Sequence, residues 1–301
     1  MRMYSEFKIN LPLLCAIFFL LGHCTYTAFA EEAELQNSPE QALTNDETEN
    51  HDSTKERARH YRIGVSGGVT FAGYTEGTDT QINRYMIAPT VILDSNIEKN
   101  RFLHHINLLF FMGKAHPARK VRHLFPEEGY MSYRAAMEYA LDYRLWSLGG
   151  NPAFPGWLGG TFRADFYFFT DYINILRLSM LFSLGVHVTQ KWIINPRHSL
   201  SVSLGIPLLT YAIRSPYSGL DDRLIAIVVE DAIWKILGMG NFASVHNYLA
   251  IFGDIKYHFK LTPLLSFYSG LGLEFSHINI PKGRGRRDAA SRLNAGLVFT
   301  F

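Results

Sequence analysis

The last ten residues of the chain alternate between two kinds of side chain. Apolar residues occupy every second position and end on Phe301, and most positions between them hold polar or small residues. Successive side chains of a β-strand point to opposite faces, so a period of two predicts a strand whose faces meet different surroundings. The C-terminal segment is therefore predicted to be a strand with one apolar face. That face carries Leu293, Ala295, Leu297, Phe299 and Phe301.

The same alternation recurs in ten segments, counting the last one. Each is close to the roughly 9–11 residues that a tilted membrane-spanning strand needs. The segment 131–145 is the clearest, because its inner face carries four charges, including Arg134 and Glu138. Few strands of a soluble sandwich would bury so many charges. The predicted strands are 61–74, 84–94, 102–112, 131–145, 158–169, 178–190, 199–210, 248–260, 264–277 and the C-terminal segment.

The composition favours a barrel whose outer face contacts lipid. The chain is 48% hydrophobic and 14% aromatic, yet it contains no run of 18 or more apolar residues that would form a membrane-spanning helix. The apolar side chains are instead spread over short alternating segments, as a transmembrane barrel requires. We therefore predict an all-β, antiparallel, up-and-down transmembrane β-barrel of about ten strands over residues 61–301.

The N-terminus predicts export. Two basic residues precede an apolar stretch at 11–22, and a small-x-small cleavage site ends at Ala30, so residues 1–30 are predicted to be a secretory signal peptide. Both cysteines lie inside it, which leaves the mature chain without a disulfide or a thiolate metal site. A loose lipoprotein box ending at Cys24, with that cysteine lipidated, is the alternative. Residues 31–60 hold nine acidic and three basic residues and are predicted to be a disordered periplasmic leader.

These features make residues 61–301 resemble the small outer-membrane β-barrel proteins of Gram-negative bacteria. The resemblance rests on the strand that ends at Phe301, on the alternating segments and on the stretch 214–219, Arg-Ser-Pro-Tyr-Ser-Gly. It implies an outer-membrane location and recognition of the terminal aromatic residue by the barrel-assembly machinery. Its motifs are architectural and imply no catalytic residue. We expect a monomer with a structural, surface-interaction or narrow-pore role.

Connection lengths predict the orientation. Short connections follow strands two, six and eight, and longer ones follow most odd strands, which places both termini in the periplasm and the long loops outside. Trp146, Trp157 and Trp192 fall at predicted periplasmic strand ends, where an aromatic girdle is expected. Pro89 and Pro207 lie inside predicted strands, so we expect bulges or displaced boundaries there.

The stretch 222–237 leaves the strand count open. Its apolar residues recur at helical spacing after two possible capping aspartates, which favours a helix or a mixed loop above the membrane. Two further short strands, which would make twelve, are the alternative.

Inward-facing charges predict a filled lumen. Ten strands enclose little more room than the side chains occupy, and buried charges need partners. The expected pairs are Arg134 with Glu138, Arg163 with Asp165, Asp254 with Lys256, and Glu274 with Arg292. A narrow pore that uses the same charges is the alternative. The predicted lumen network comprises Arg134, Glu138, Asp142, Arg163, Asp165, Asp254, Lys256, Glu274 and Arg292.

Two outer loops are rich in basic residues. Beside outer-membrane lipid, their expected partner is the phosphate groups of lipopolysaccharide, bound by charge-assisted hydrogen bonds, although ordinary solvated loops would have the same composition. The location excludes nucleic acid. The candidate anion contacts are Lys114, Arg119, Lys120, Arg122, Lys282, Arg284, Arg286 and Arg287.

An outer-membrane hydrolase of lipid or peptide, with its site at the extracellular rim, is the alternative function. The candidate catalytic residues are His246, His277, Asp221 and Asp222, and serines lie close to both histidines in sequence. Sequence neighbours make a nucleophile–base pair only if the geometry brings them together. No group of His, Asp and Glu has ligand spacing on one element, so we expect no metal, and we expect no cofactor.

Overall fold

The computed structural model describes residues 60–76, 82–117, 130–170, 176–214, 238, 240–279 and 285–301. The predicted signal peptide and all of the predicted leader except His60 lie outside these residues. No helix in the described part of the chain is long and apolar enough to cross a membrane. The strands are β1 (His60–Glu76), β2 (Ile82–Lys99), β3 (Phe102–Pro117), β4 (Tyr130–Ser147), β5 (Pro155–Thr170), β6 (Leu176–Ile193), β7 (His198–Arg214), β8 (Asn241–Ser244), β9 (Tyr248–Lys260), β10 (Leu265–Ile278) and β11 (Arg286–Thr300).

The strands form one closed antiparallel barrel. Consecutive strands pair with each other except β8 and β9, and β1 pairs with β11 from Arg62 opposite Thr300 to Glu76 opposite Arg286, which closes the ring. The short strand β8 and the longer β9 both pair with β7 in the same direction, so together they form one interrupted strand of the barrel. The ring is thus complete with ten barrel strands, counting β8 and β9 as one, which confirms the predicted count. A closed ring leaves no edge for two more strands, so the alternative of twelve is wrong; residues 222–237 lie outside the described part.

The two faces of the barrel differ in polarity as the alternation predicts. Side chains such as Ile87 and Leu293 are 63% and 56% exposed, whereas their strand neighbours Ala88 and Arg292 are buried. An exposed apolar band around the whole barrel fits a hydrocarbon solvent. The band includes Ile63, Val65, Phe71, Leu93, Met112, Leu141, Leu158, Leu184, Leu204, Ile251, Ile255, Leu273, Leu297 and Phe299.

The start of β1, the C-terminus and the short turns lie at one end of the barrel, which we call the terminal end. The turns there are residues 100–101, 148–154, 194–197 and 261–264. Trp146 and Trp192 lie near this end, and the indole of Trp146 donates a hydrogen bond to Gln190 at 2.9 Å. The girdle prediction is wrong for Trp157, which is 2% exposed. Trp157 occupies an inward position of β5, because it is six residues from Arg163 and therefore lies on the same face of the strand.

The two strand prolines are accommodated differently. At Pro207 the pairing with β6 shifts register, with Leu208 as the extra residue, which confirms the predicted bulge. At Pro89 no bulge forms, so that prediction is wrong. The β2–β3 ladder opens from Ile87 to Pro89 and resumes at Thr90 in unchanged register. An open ladder removes the need for the N–H that proline lacks.

The seam between β1 and β11 requires glycine at two inward positions. A Cβ on Gly68 would lie 2.1 Å from the carbonyl oxygen of Leu293, and one on Gly296 would lie 2.1 Å from the carbonyl oxygen of Val65. Between them, the Asn294 amide donates a hydrogen bond to the Ser66 hydroxyl at 3.1 Å. The seam is therefore packed against backbone, which cannot move aside as a flexible side chain can.

We expect Gly68→Ala to destabilise the folded barrel by about 1–3 kcal/mol, because the added methyl group overpacks the seam. The measurement is urea unfolding in lipid vesicles, with gel mobility before and after boiling as the test of folding. Gly67→Ala is the matched control, because a Cβ on Gly67 meets no atom within 4 Å. Equal stability of the two variants would contradict this account of the seam.

Candidate functional site in the barrel lumen

Glu274 on β10 lies at the centre of the inward-facing charges. Its carboxylate oxygens are 2.5 Å from Nη1 of Arg134, 2.9 Å from Nη2 of Arg163 and 2.7 Å from Nη1 of Arg292. The three arginines come from β4, β5 and β11, so contacts to this single carboxylate cross the lumen. Charge-assisted hydrogen bonds of this kind are the strong ones.

Asp165 is a second carboxylate shared by two of these arginines. Arg134 donates to Oδ1 of Asp165 through Nε and Nη2, at 2.9 and 2.7 Å, and Arg163 donates to Oδ2 at 2.7 Å. Aromatic rings flank both guanidinium groups: Arg134 lies 4.6 Å from the Tyr167 ring centre and Arg163 lies 4.4 Å from that of Phe252. Such stacking adds attraction and excludes water from the charges.

The cluster extends toward the barrel wall on both sides. Arg163 reaches Glu138 at 3.3 Å, and Arg292 reaches Asp254 at 3.3 Å. We call these residues the ion-pair layer: Arg134, Glu138, Arg163, Asp165, Asp254, Glu274 and Arg292. The side chains of Arg134, Arg163 and Asp165 are 5–7% exposed, so the charges are removed from bulk water. Several mutually satisfied partners offset the desolvation that would disfavour a single buried pair.

Toward the terminal end, two further pairs lie below the layer. The Lys256 ammonium donates to Asp94, and His187 Nδ1 is 2.7 Å from Asp142, which also accepts from Thr189 at 3.3 Å. They border a cavity of about 80 Å³.

Toward the opposite end, which we call the loop end, aromatic and basic side chains stack. Arg286 donates to Asp288 at 2.7 Å, and Ser276 donates to the same carboxylate at 3.2 Å. The Arg286 guanidinium lies 4.5 Å from the Tyr167 ring centre, so that this ring contacts both Arg286 and Arg134. A cavity of about 20 Å³ lies among these residues.

The predicted ion pairs are only half right in detail. Arg163 contacts Asp165, and Glu274 contacts Arg292, as expected. Arg134 does not pair with Glu138, since residues four apart on a strand are separated by about 13 Å. Register instead places Glu138 directly opposite Arg163 on β5.

The expected pair of Asp254 with Lys256 is also wrong. Lys256 reaches across the lumen to Asp94 on β2, and Asp254 receives Arg292 instead. Asp94 was not among the predicted lumen residues because the predicted strand two ended there, although Asp94 has the inward parity of β2. His187 and Tyr167 also occupy inward positions, but only the cross-barrel geometry reveals their partners.

Of the basic residues assigned to outer loops, the structure describes three, and they do not all face outward. Lys114 lies on β3 and Arg287 on β11; both are exposed near the loop end. Both strands are longer than predicted, because each remains paired with its neighbour that far. The assignment of Arg286 as an anion contact is wrong, since it points inward and binds Asp288. Arg119, Lys120, Arg122, Lys282 and Arg284 lie outside the described residues.

The catalytic candidates are not assembled into a site within the described residues. Ser276 points into the lumen and binds Asp288, while His277, next in β10, alternates to the opposite face. His246 lies in the turn between β8 and β9, where its Nδ1 is 3.4 Å from the Ser244 hydroxyl and both residues are exposed. Asp221 and Asp222 lie outside the described residues. No described group of three or more His, Cys, Asp or Glu side chains is arranged to hold a metal ion.

Comparison with known proteins supports the architecture. No protein-family model matches this sequence, and no curated protein matches it. The outer-membrane protease OmpT from Escherichia coli is similar in structure, with a TM-score of 0.51 and 9% sequence identity over 80% of this chain and 97% of that one. Neisserial surface protein A matches with a TM-score of 0.32 and 10% identity, over 79% and 97% of the two chains.

A FadL homologue from Pseudomonas aeruginosa matches with a TM-score of 0.29 and 9% identity, over 80% of this chain and 89% of that one. At such low identity the likeness to OmpT shows the fold alone. The chain has the fold of an outer-membrane β-barrel.

We expect Glu274→Gln to destabilise the barrel by about 3–5 kcal/mol, because three buried guanidinium groups lose their shared carboxylate. The measurement is the free energy of unfolding in urea with lipid vesicles present. Glu98→Gln is the matched control: Glu98 also lines the lumen, but it makes no ion pair with any described residue. We expect that control to change the free energy by less than about 1 kcal/mol. Similar losses of the free energy of unfolding in both variants would mean that the shared carboxylate stabilises the barrel no more than an unpaired one.

Proposed function

We propose that this protein is an outer-membrane β-barrel with a closed lumen, and that its role is structural and surface-directed rather than conductive. The observation that supports this proposal is the ion-pair layer, in which guanidinium and carboxylate groups from both sides of the barrel meet at Glu274. The spaces on either side of the layer, about 80 and 20 Å³, hold only a few water-sized groups.

The energetics of the layer favour a plug over a narrow pore. A permeating ion needs sites that replace its hydration shell and also release it. Here Glu274 and Asp165 are already neutralised by arginines, and Arg134 is flanked by Tyr167. Separating one buried partner from the others leaves an uncompensated charge, which costs about 3–5 kcal/mol. We therefore expect the ion pairs of the layer to stay formed and to block the lumen.

The exposed rim at the loop end supports the surface-directed part of the proposal. Lys114 and Arg287 lie there on the same outward face as the apolar band. Cations just beyond a hydrocarbon layer suit the phosphate groups of lipopolysaccharide. The outer-membrane location and the periplasmic position of the leader belong to the same proposal.

The barrel-assembly machinery is the remaining partner that we propose. The backbone of Phe301 exchanges two hydrogen bonds with that of Tyr61, at 2.9 and 3.2 Å, while 69% of the residue is exposed. The terminal ring is thus accessible to the barrel-assembly machinery although its backbone closes the seam.

We expect the wild-type barrel not to conduct in planar lipid bilayers, and we expect a variant without the centre of the layer to conduct. Replacing Arg134, Arg163, Asp165 and Glu274 together by serine removes two positive and two negative charges. The substitution therefore opens space without changing the net charge of the layer. Gel mobility before and after boiling shows whether the variant folds.

The control for conductance is the double variant Lys114→Ser, Arg287→Ser, which changes charges outside the lumen. Steady conductance of the wild type would favour the narrow pore. A folded quadruple variant that does not conduct would show that the layer is not the barrier.

We also expect Lys114→Ser and Arg287→Ser each to weaken lipopolysaccharide binding by about two- to fivefold, the scale of an exposed ion pair. Binding is measured for the purified protein in detergent with labelled lipopolysaccharide. Lys99→Ser is the matched control, since Lys99 is equally exposed but lies at the terminal end of β2. Equal weakening by Lys99→Ser would indicate non-specific attraction to any surface cation.

A further inference from the structure

The cavity below the ion-pair layer is a site that the closed-lumen role does not use. It lies at the terminal end, because Arg62, Glu98 and Lys191 in its wall are each within three residues of the corresponding end of β1, β2 and β6. We call this cavity the terminal cup. The ion-pair layer lies on the other side of the cup, so we expect a ligand to enter from the terminal end.

Two cations in the wall of the terminal cup have no carboxylate partner among the residues that the structure describes. Its wall carries Lys256 and Asp254, but Lys256 is neutralised by Asp94 and Asp254 by Arg292. The remaining charged groups are Arg62, Lys191 and Glu98, and none of them makes an ion pair within 4 Å with any residue that the structure describes. Arg62 and Lys191 therefore keep their positive charges without a carboxylate in contact.

The cup also offers hydrogen-bond donors, and its volume suits a small anion. Arg62 and Lys191 are half-buried rather than solvated on the surface, and the Ser203 hydroxyl lies in the same wall. Arg presents a planar fork that matches a carboxylate, whereas Lys acts as a point charge. A volume of about 80 Å³ holds about five water-sized groups. That is room for a carboxylate with one or two carbon atoms.

Glu98 sets the charge of the ligand. A second negative charge on the anion would be repelled by this carboxylate inside the same small space. We propose that the terminal cup binds the carboxylate group of a monoanion, held between Arg62 and Lys191.

Two sources can supply this carboxylate. One is a free monocarboxylate such as acetate. The other is the chain's own segment 31–59, which carries nine acidic residues and joins β1 beside Arg62. A chain covers at most about 3.3–3.6 Å per residue, so even an acidic residue ten positions before the strand is within reach of the cup.

The test measures acetate binding to the purified mature chain, residues 31–301, by equilibrium dialysis with labelled acetate. A second protein of the same length has all nine acidic residues of 31–59 changed to their amides. If only this neutralised protein binds acetate, the segment occupies the cup in the wild type. If both bind acetate equally, the ligand is a free anion. If neither binds, the proposal is overturned.

The site is tested in whichever protein binds acetate. Arg62→Gln and Lys191→Gln are each expected to weaken binding by about tenfold, the scale of a hydrogen bond to a charged group. Lys99→Gln is the matched control, because Lys99 lies at the same end and does not line the cup. Gel mobility before and after boiling shows that each variant is folded. Binding that survives both Arg62→Gln and Lys191→Gln would place acetate elsewhere and overturn the proposal.

Discussion

In a hydrocarbon layer, every backbone N–H and C=O must find its partner inside the protein, and the pairing of β1 with β11 is how this chain meets that demand. The closed ring leaves no free strand edge, and it also decides which residues become neighbours across the lumen. Gly68 and Gly296 permit the close approach at the seam, where each faces backbone atoms of the opposite strand. The order of the whole interior thus depends on the register of this last pairing.

Closure forces the polar side chains inward and into a small volume. The alternation that exposes Leu293 to lipid places Arg292 inside, where it needs carboxylates. Glu274 meets this need for three arginines at once. Because the layer concentrates the mutually satisfied charges near the middle of the lumen, the terminal cup below it keeps cations without carboxylate partners. A filled lumen and a binding cavity are therefore compatible in one barrel.

Prediction from the sequence succeeded where the physical signal was local. The period-two segments predicted the ten strands of the barrel, and the missing N–H of Pro207 predicted a bulge that the structure contains. It did not succeed at Pro89, because the open ladder beside it depends on how β3 runs past β2. The strand boundaries at the loop end were also misplaced, since pairing with a neighbour extends β3 to Pro117 and lets β11 begin at Arg286.

The alternation of side chains by itself determined the strands, their lipid-facing sides and which charges point inward, because a strand's two faces follow directly from residue parity. Only the tertiary structure decided the partners. Arg134 binds Asp165 and Glu274 rather than Glu138, and Lys256 binds Asp94 across the lumen. The physical reason is that an ion pair requires atoms within about 4 Å, and such distances across a barrel depend on the register and curvature of the closed sheet, which no single segment contains.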